Sequence, residues 1–415
     1  MNILFVHEVD WLKKVVFEIH NLAELLSLRG HQVYAIDYPD TWTRDNILDL
    51  GSLRTQETSG VSRALQGASV YLRRPGYLKL PVLSRLSAGF THYREIERTI
   101  KEKKIDVIIL YSVPTNGLQT IRLAGKFNIP VIFRSIDILH KLVHYPALRQ
   151  ATKIIEKMTY SRVDAILAIT PHHAQYVINM GASESRVDLL LLPIDRDIFH
   201  PSTDCSAIQQ KWGLNKEVPV IVFVGTLFEF SGLDGFIQEF PGILQQIPNA
   251  RLLIVGDGPQ RSTLEKIIAE LGLQKYVTIT GFQPYQTMPQ YMNLATICIN
   301  PFVVTERTED VFPGKIIQYI ACGKVTIATP SLGITTLIPD KTNGIIYASD
   351  ARTMAQEAIS LLKSPEYRQQ LEHAGLDYIK QNHDQISIGH KLETYLEKFV
   401  KEKHNEVIST RMGRG

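Results

Sequence analysis

Cysteine is scarce: Cys205, Cys298 and Cys322 form no CxxC pair in 415 residues. That pattern argues against a disulfide frame and a structural zinc, and points to a reducing cytoplasm. Long apolar runs are missing as well, and none approaches the ~18–20 residues of a membrane span. The opening MNILFVHEVDW carries acids where a signal peptide has a basic n-region, so it is read as a first strand. No glycine precedes Gly30, so the first strand–helix turn lacks the glycine-rich fingerprint of a dinucleotide-binding half. Net charge is small, +3 overall, with 25 basic and 20 acidic residues over positions 1–200. Within Arg63–Lys104 there are ten basic residues against three acidic. No nucleic-acid motif and little aromatic interleaving accompany them, so nucleic acid is not an expected partner. An anionic membrane surface is, with Tyr77, Leu78, Leu83 and Phe90 as apolar anchors; a solvated helix face is the alternative.

What is present is a soluble, globular composition, 44% apolar and 21% charged, long enough for two domains. Apolar strands are expected at Asn2–Val6, Val33–Ile36, Val107–Leu110, Pro130–Phe133, Ala165–Ile169 and Val187–Leu192, alternating with helices. Positions 40 to 70 are polar and resist assignment. LPIDRDIFHPS reads as a linker. The strand–helix alternation then restarts at Pro219–Gly225, Ala250–Gly256, Val277–Gly281, Thr296–Asn300, Val325–Ala328 and Gly344–Tyr347. Helices are expected over 351–363 and 365–381, and a final amphipathic helix over Ile386–Lys403. Two such arrays predict an α/β chain of two Rossmann-like, doubly wound domains facing across a cleft. The expected boundaries are 1–195, 196–384, and a last segment, 385–415, that crosses back to the first domain.

The stretch FVVTERTEDVFPGKIIQYIACG, Phe302–Gly323, organises the second array. An acidic loop (Glu306, Glu309, Asp310) leads through Pro313 into a helix carrying Lys315 and Gln318, at the carboxyl end of a parallel strand. Open α/β sheets bind ligands at that edge. Asp195-x-Asp197 has the form of a metal-binding DxD, but it stands in the linker, and no metal is expected. Gly256-Asp257-Gly258 reads as a turn.

Seven segments, in order, resemble the family-four retaining glycosyltransferases of the GT-B fold. They run from the first strand–helix–GH–strand through VDLLLLPIDRDIFHP, VFVGTLFEFSGLDGFI, ARLLIVGDGPQRSTLEKIIAELGL, VTITGFQPYQTMPQYMNLATICINPF and KIIQYIACGKVTIAT to NGIIY. The resemblance implies a nucleotide-sugar-dependent hexosyltransferase. It would move a sugar from a UDP- or GDP-linked donor to a glycan or lipid-linked acceptor, with retention and without a metal. Donor binding falls to the second domain and acceptor binding to the first. A cytoplasmic enzyme of polysaccharide or glycolipid synthesis, peripheral on the inner face of the membrane, is implied. A non-catalytic subunit or scaffold with weak nucleotide binding is the alternative.

Carried over residue by residue, Asp310 and Gln318 stand where the family has two glutamates. Asp310 is the carboxylate beside the transferred sugar, and Gln318 keeps a carbonyl acceptor for the ribose hydroxyls. Backbone N–H groups of Val311, Phe312 and Gly314 are candidates for the sugar hydroxyls. Gly225, Thr226 and Gly256 fall at the diphosphate, and Gly281 and Phe282 at the nucleobase. The family's two phosphate-binding cations are replaced by Thr226 and Ser231, which leaves Lys315 and Arg307 as substitutes. His140 is a candidate catalytic group in the loop shared with Arg134 and Asp137. His7, Trp11, Lys14 and Arg134 are candidates for the acceptor site.

Overall fold

The computed structural model describes residues 1–39, 49–80, 83–143, 145–214 and 217–412. The chain divides into two compact units, Met1–Pro193 with Ile386–Gly415, and Ile194–Gln385.

Strands of the first unit are β1 (Asn2–Val6), β2 (Gln32–Ile36), β3 (Gln56–Val61), β4 (Val70–Arg74), β5 (Val107–Leu110), β6 (Val131–Ser135), β7 (Ala165–Ala168) and β8 (Val187–Leu189). Helices α1 (Glu18–Leu28), α2 (Leu83–Lys103), α3 (Gly117–Phe127), α4 (Pro146–Tyr160) and α5 (Pro171–Asn179) connect them. The sheet order is β3-β4-β2-β1-β5-β6-β7-β8. Every pair is parallel except the β3–β4 edge. Central strands such as VIIL and AILA are buried along their whole length, because helices cover both faces of the sheet. The chain runs outward from β1 to β2 in one direction and later resumes on its other side at β5. The topological switch point therefore lies between β1 and β5.

Strand β3 falls in the stretch the sequence leaves unassigned, and β4 begins at its end. Five of the six residues of β3 are exposed, so no alternation marks it. Residues 40–48 of that stretch, and 81–82 of the basic segment, lie outside the described residues.

The second unit holds β9 (Val220–Val224), β10 (Arg251–Val255), β11 (Val277–Ile279), β12 (Ile297–Asn300), β13 (Thr326–Ala328) and β14 (Ile345–Tyr347). Its helices are α6 (Ser206–Lys211), α7 (Leu233–Gln246), α8 (Arg261–Glu270), α9 (Met288–Leu294), α10 (Lys315–Ala321), α11 (Leu332–Thr335), α12 (Ala351–Lys363) and α13 (Pro365–Asn382). The order β11-β10-β9-β12-β13-β14 is wholly parallel. Its switch point lies between β9 and β12, so Gly225 and the Pro301–Gly314 loop leave the sheet side by side.

The last helix, α14 (Gln385–Met412), packs on the first unit. Ile388, Leu392 and Leu396 join the core built on β1 and α1. Glu393 accepts from His31 at 2.8 Å and pairs with Arg29, and Lys391 donates to the Leu189 carbonyl at 2.7 Å. No helix among the described residues is long and apolar enough to cross a membrane.

Candidate active site

In the second unit, three strand ends meet backbone to backbone. Gly225 donates its N–H to the Val255 carbonyl at 2.9 Å, and Gly256 bridges Gly281. A Cβ on Gly256 would overlap the Gly225 carbonyl, and a Cβ on Gly225 would overlap the Lys315 ammonium. These glycines are required by close approach rather than by sequence habit. Gly281, Gly256, Gly225 and Lys315 thus form one continuous row across the carboxyl edge of the sheet.

Lys315 opens α10, a helix of seven residues. Its ammonium lies 4.1 Å from the centre of the Phe223 ring and 4.7 Å from that of Phe302. Burial pushes its pKa down to about 7. Among the described residues it makes no ion pair and no hydrogen bond, so Glu306, Glu309 and Asp310 do not hold it. Arg307, the other substitute cation, is exposed on the Thr305–Thr308 turn and has no such contact with Gly225. Ser231 is buried and Thr226 half-buried.

Asp310 is 5% exposed at the end of a loop pinned by Thr308, whose hydroxyl donates to the Val303 carbonyl at 2.6 Å. Gly333 of α11 packs flat against the Asp310 and Val311 carbonyls. The Val311 N–H is committed to the Thr308 carbonyl at 3.1 Å, which withdraws it as a sugar donor. Phe312 and Gly314 keep theirs uncommitted among the described residues. Gln318, one turn beyond Lys315, is half-buried, and its side-chain amide bonds to nothing among the described residues. Phe282 is 71% exposed beside Gly281. The sequence reading missed Tyr319, whose buried hydroxyl accepts from the Val224 N–H at 2.7 Å and fixes the end of β9 beside Gly225. A tyrosine in an apolar helix was its only signal.

In the first unit the candidates split. His7 follows β1, its ring packed on Phe17 and Tyr111; burial, then His20 and Lys14, lowers its pKa to about 3, so it is neutral. Lys14 is exposed and lines a cavity of about 780 Å³ at the carboxyl ends of β1, β2 and β4. Trp11 needs correction: it is 2% exposed, edge-on to His20 at 4.9 Å in the core, and cannot meet a substrate. Arg134 needs the same correction. It is 1% exposed, donates to Glu18 at 2.8 Å and to the Leu167 carbonyl at 3.1 Å, and Tyr111 completes Glu18 at 2.9 Å.

His140 is 8% exposed; its Nδ1 lies 2.6 Å from Glu156 and its ring stacks on Tyr176. That arrangement fixes the orientation of the His140 ring through Nδ1. Asp137, nearby, is half-buried, and burial lifts its carboxyl to about 6 against the pull of Lys14.

The basic segment is also partly structural. Arg73 pairs with Glu57 and Glu102, Arg74 with Asp10 and Asp37, and Arg63 bonds the Trp11 and Lys14 carbonyls. Tyr77 is buried and Leu78 half-buried, so neither is a free anchor; Leu83 and Phe90 are exposed.

Two family models match the chain: a glycosyl transferase 4-like domain over residues 16–192 and glycosyl transferases group 1 over 204–377. The alpha-D-kanosaminyltransferase of Streptomyces kanamyceticus is 29% identical over 40% of this chain, a match spanning only 41% of that protein. The GDP-mannose-dependent monoacylated alpha-(1-6)-phosphatidylinositol monomannoside mannosyltransferase of Corynebacterium glutamicum is 24% identical over 89% of this chain and 94% of its own length. The Anabaena protein Alr3699/HepE, solved in complex with UDP, superposes with a TM-score of 0.70 at 17% identity, covering 96% of this chain and 100% of the other. Two Rossmann-like units, one matched by a glycosyl transferase 4-like model and the other by the group 1 model, make the chain a group 1 glycosyltransferase with the GT-B fold.

Proposed function

We propose that this protein moves a sugar from a UDP- or GDP-linked donor to a glycan or lipid-linked acceptor, with retention at the anomeric carbon and no metal. The observation that carries the reading is Lys315: a half-buried cation with no ion pair among the described residues, placed against the glycine row at a sheet switch point. A buried charge without a partner is costly, and a diphosphate supplies the missing one. The diphosphate lies along Gly225 and Thr226, with Lys315 meeting its charge in place of a metal. Phe282 and the backbone after Gly281 take the base, and the Gln318 carbonyl accepts from the ribose. Phe312 and Gly314 N–H groups hold sugar hydroxyls, and Asp310 stabilises positive charge at the anomeric carbon. As the bond from that carbon to the diphosphate breaks, the acceptor oxygen attacks from the same face and its proton passes to a diphosphate oxygen. His7, Lys14 and Asp137 border the acceptor, in the first unit.

The names of relatives support the acceptor class, since one acts on a phosphatidylinositol mannoside. A cytoplasmic protein held at the inner membrane face fits that class. Leu83, Leu86 and Phe90, with Arg85 and Arg94, are the part of Arg63–Lys104 still open to such contact. Loss of the usual cations at Thr226 and Ser231 favours a second reading, a scaffold that binds nucleotide weakly.

Incubation with a panel of UDP- and GDP-sugars separates the two. Slow release of free nucleoside diphosphate from one donor is expected. Failure to bind any nucleotide would leave the scaffold.

A further inference from the structure

Helix α4 packs Ile155 and Tyr160 against the core but leaves a second apolar stripe uncovered. Its buried side carries Thr152, Glu156, Thr159 and Tyr160. That second stripe points outward: Leu148 is 58% exposed and Ile154 60%, with Ala147 and Ala151 exposed beside them. An amphipathic helix ordinarily buries that stripe. Just before the helix, Leu142 and Tyr145 are exposed as well, at 49% and 69%.

The orientation is locked. Glu156 is fully buried and takes His140 at 2.6 Å, Tyr176 at 3.1 Å and Tyr160 at 3.2 Å. Rolling the helix inward to cover Leu148 and Ile154 would strip the His140 and Tyr176 contacts from a buried carboxylate, a cost above the gain from two side chains.

The charge around the stripe has one sign. Residues 139–162 contain five cations (Lys141, Arg149, Lys153, Lys157 and Arg162) and one acid, the buried Glu156. Lys153 and Lys157 are exposed on the flank of the stripe. Apolar side chains and a tyrosine beside exposed lysines, without an exposed acid, match a helix lying in a lipid headgroup layer.

We propose that α4 and the turn before it dock the first unit on an anionic bilayer. Leu142, Tyr145, Leu148 and Ile154 enter the headgroup boundary, and Lys153 and Lys157 meet lipid phosphates. The proposal builds on the membrane association suggested above but not on the donor chemistry.

The full chain should co-sediment with vesicles of equal parts phosphatidylcholine and phosphatidylglycerol, weakly with phosphatidylcholine alone, and less at high salt. Leu148→Glu with Ile154→Glu, both at solvent-facing positions, should lower vesicle binding at least tenfold and leave donor hydrolysis in lipid-free solution unchanged. Lys153→Gln and Lys157→Gln should each cost about fivefold on anionic vesicles. Wild-type indifference to lipid charge, or a double variant that binds as wild type does, overturns the proposal. So does a lipid-free dimer that the double variant abolishes, which would make a second copy the occupant. Loss at Leu86→Glu with Phe90→Glu alone would move the surface to α2 and overturn it too.

Discussion

Arg134, buried, and Lys315, half-buried, are both cations at the carboxyl edge of a parallel sheet, and their surroundings differ completely. Arg134 has a carboxylate, a carbonyl and a neighbouring tyrosine hydroxyl that completes the same acid. Lys315 has two phenylalanine rings. The first is satisfied without any ligand and so belongs to the scaffold. The second retains positive charge only at the expense of a lowered pKa, and a bound anion would restore it. Residue type and strand-edge position are shared, so the discriminating quantity is what already meets the charge.

Stability breaks the comparison most sharply. Arg134→Met strands Glu18 without its cation, and urea unfolding should show a loss of about 3–5 kcal/mol. A loss below ~1 kcal/mol would mean that Arg134 is held no more firmly than a surface ion pair.

Carboxylates extend the contrast. Asp310→Asn should lower turnover about ten- to a thousandfold at saturating donor while donor affinity is retained, because its charge matters once the sugar becomes cationic. Steady-state kinetics with a soluble donor checks this. Collapse of donor affinity with unchanged turnover would remove Asp310 from the reacting centre.

A smaller effect follows from the depressed pKa of Lys315. Between its native value of about 7 and the ordinary lysine range, the unfolded chain holds a proton that the native state lacks, so stability from this group rises with pH. Below about 7 the native protein carries the full cost. Lys315→Met should therefore raise the urea midpoint at pH 6.5 and lose that advantage toward pH 10.

Much of the fold was legible because parallel strands buried on both faces write themselves as unbroken apolar runs, as VIVFV and VIIL do. Strand β3 was not, because an antiparallel edge strand open to solvent has no reason to alternate. At the site, Asp310, Lys315 and Gln318 were visible through family register. The missing cations at Thr226 and Ser231 directed attention to Lys315. Its setting was not visible: Phe223 and Phe302 come from the ends of two other segments, brought together only by the β9–β12 pairing. The settings of Trp11, Arg134 and His140 were hidden for the same reason. Their partners His20, Glu18 and Glu156 are acids and rings whose burial no local pattern announces. In the basic segment, a count of charges does not show that Arg73 and Arg74 face inward onto acids.

The central claim is that Lys315 is the diphosphate cation, and calorimetric titration of wild type and Lys315→Met with a nucleoside diphosphate and with the bare nucleoside tests it directly. The account predicts a loss of about 1.5–3 kcal/mol for the diphosphate and almost none for the nucleoside. It also predicts that wild-type diphosphate affinity falls as pH rises above about 7, where free Lys315 must take up a proton to bind, and that the variant lacks this slope. Equal weakening of both ligands, or of neither, would contradict it.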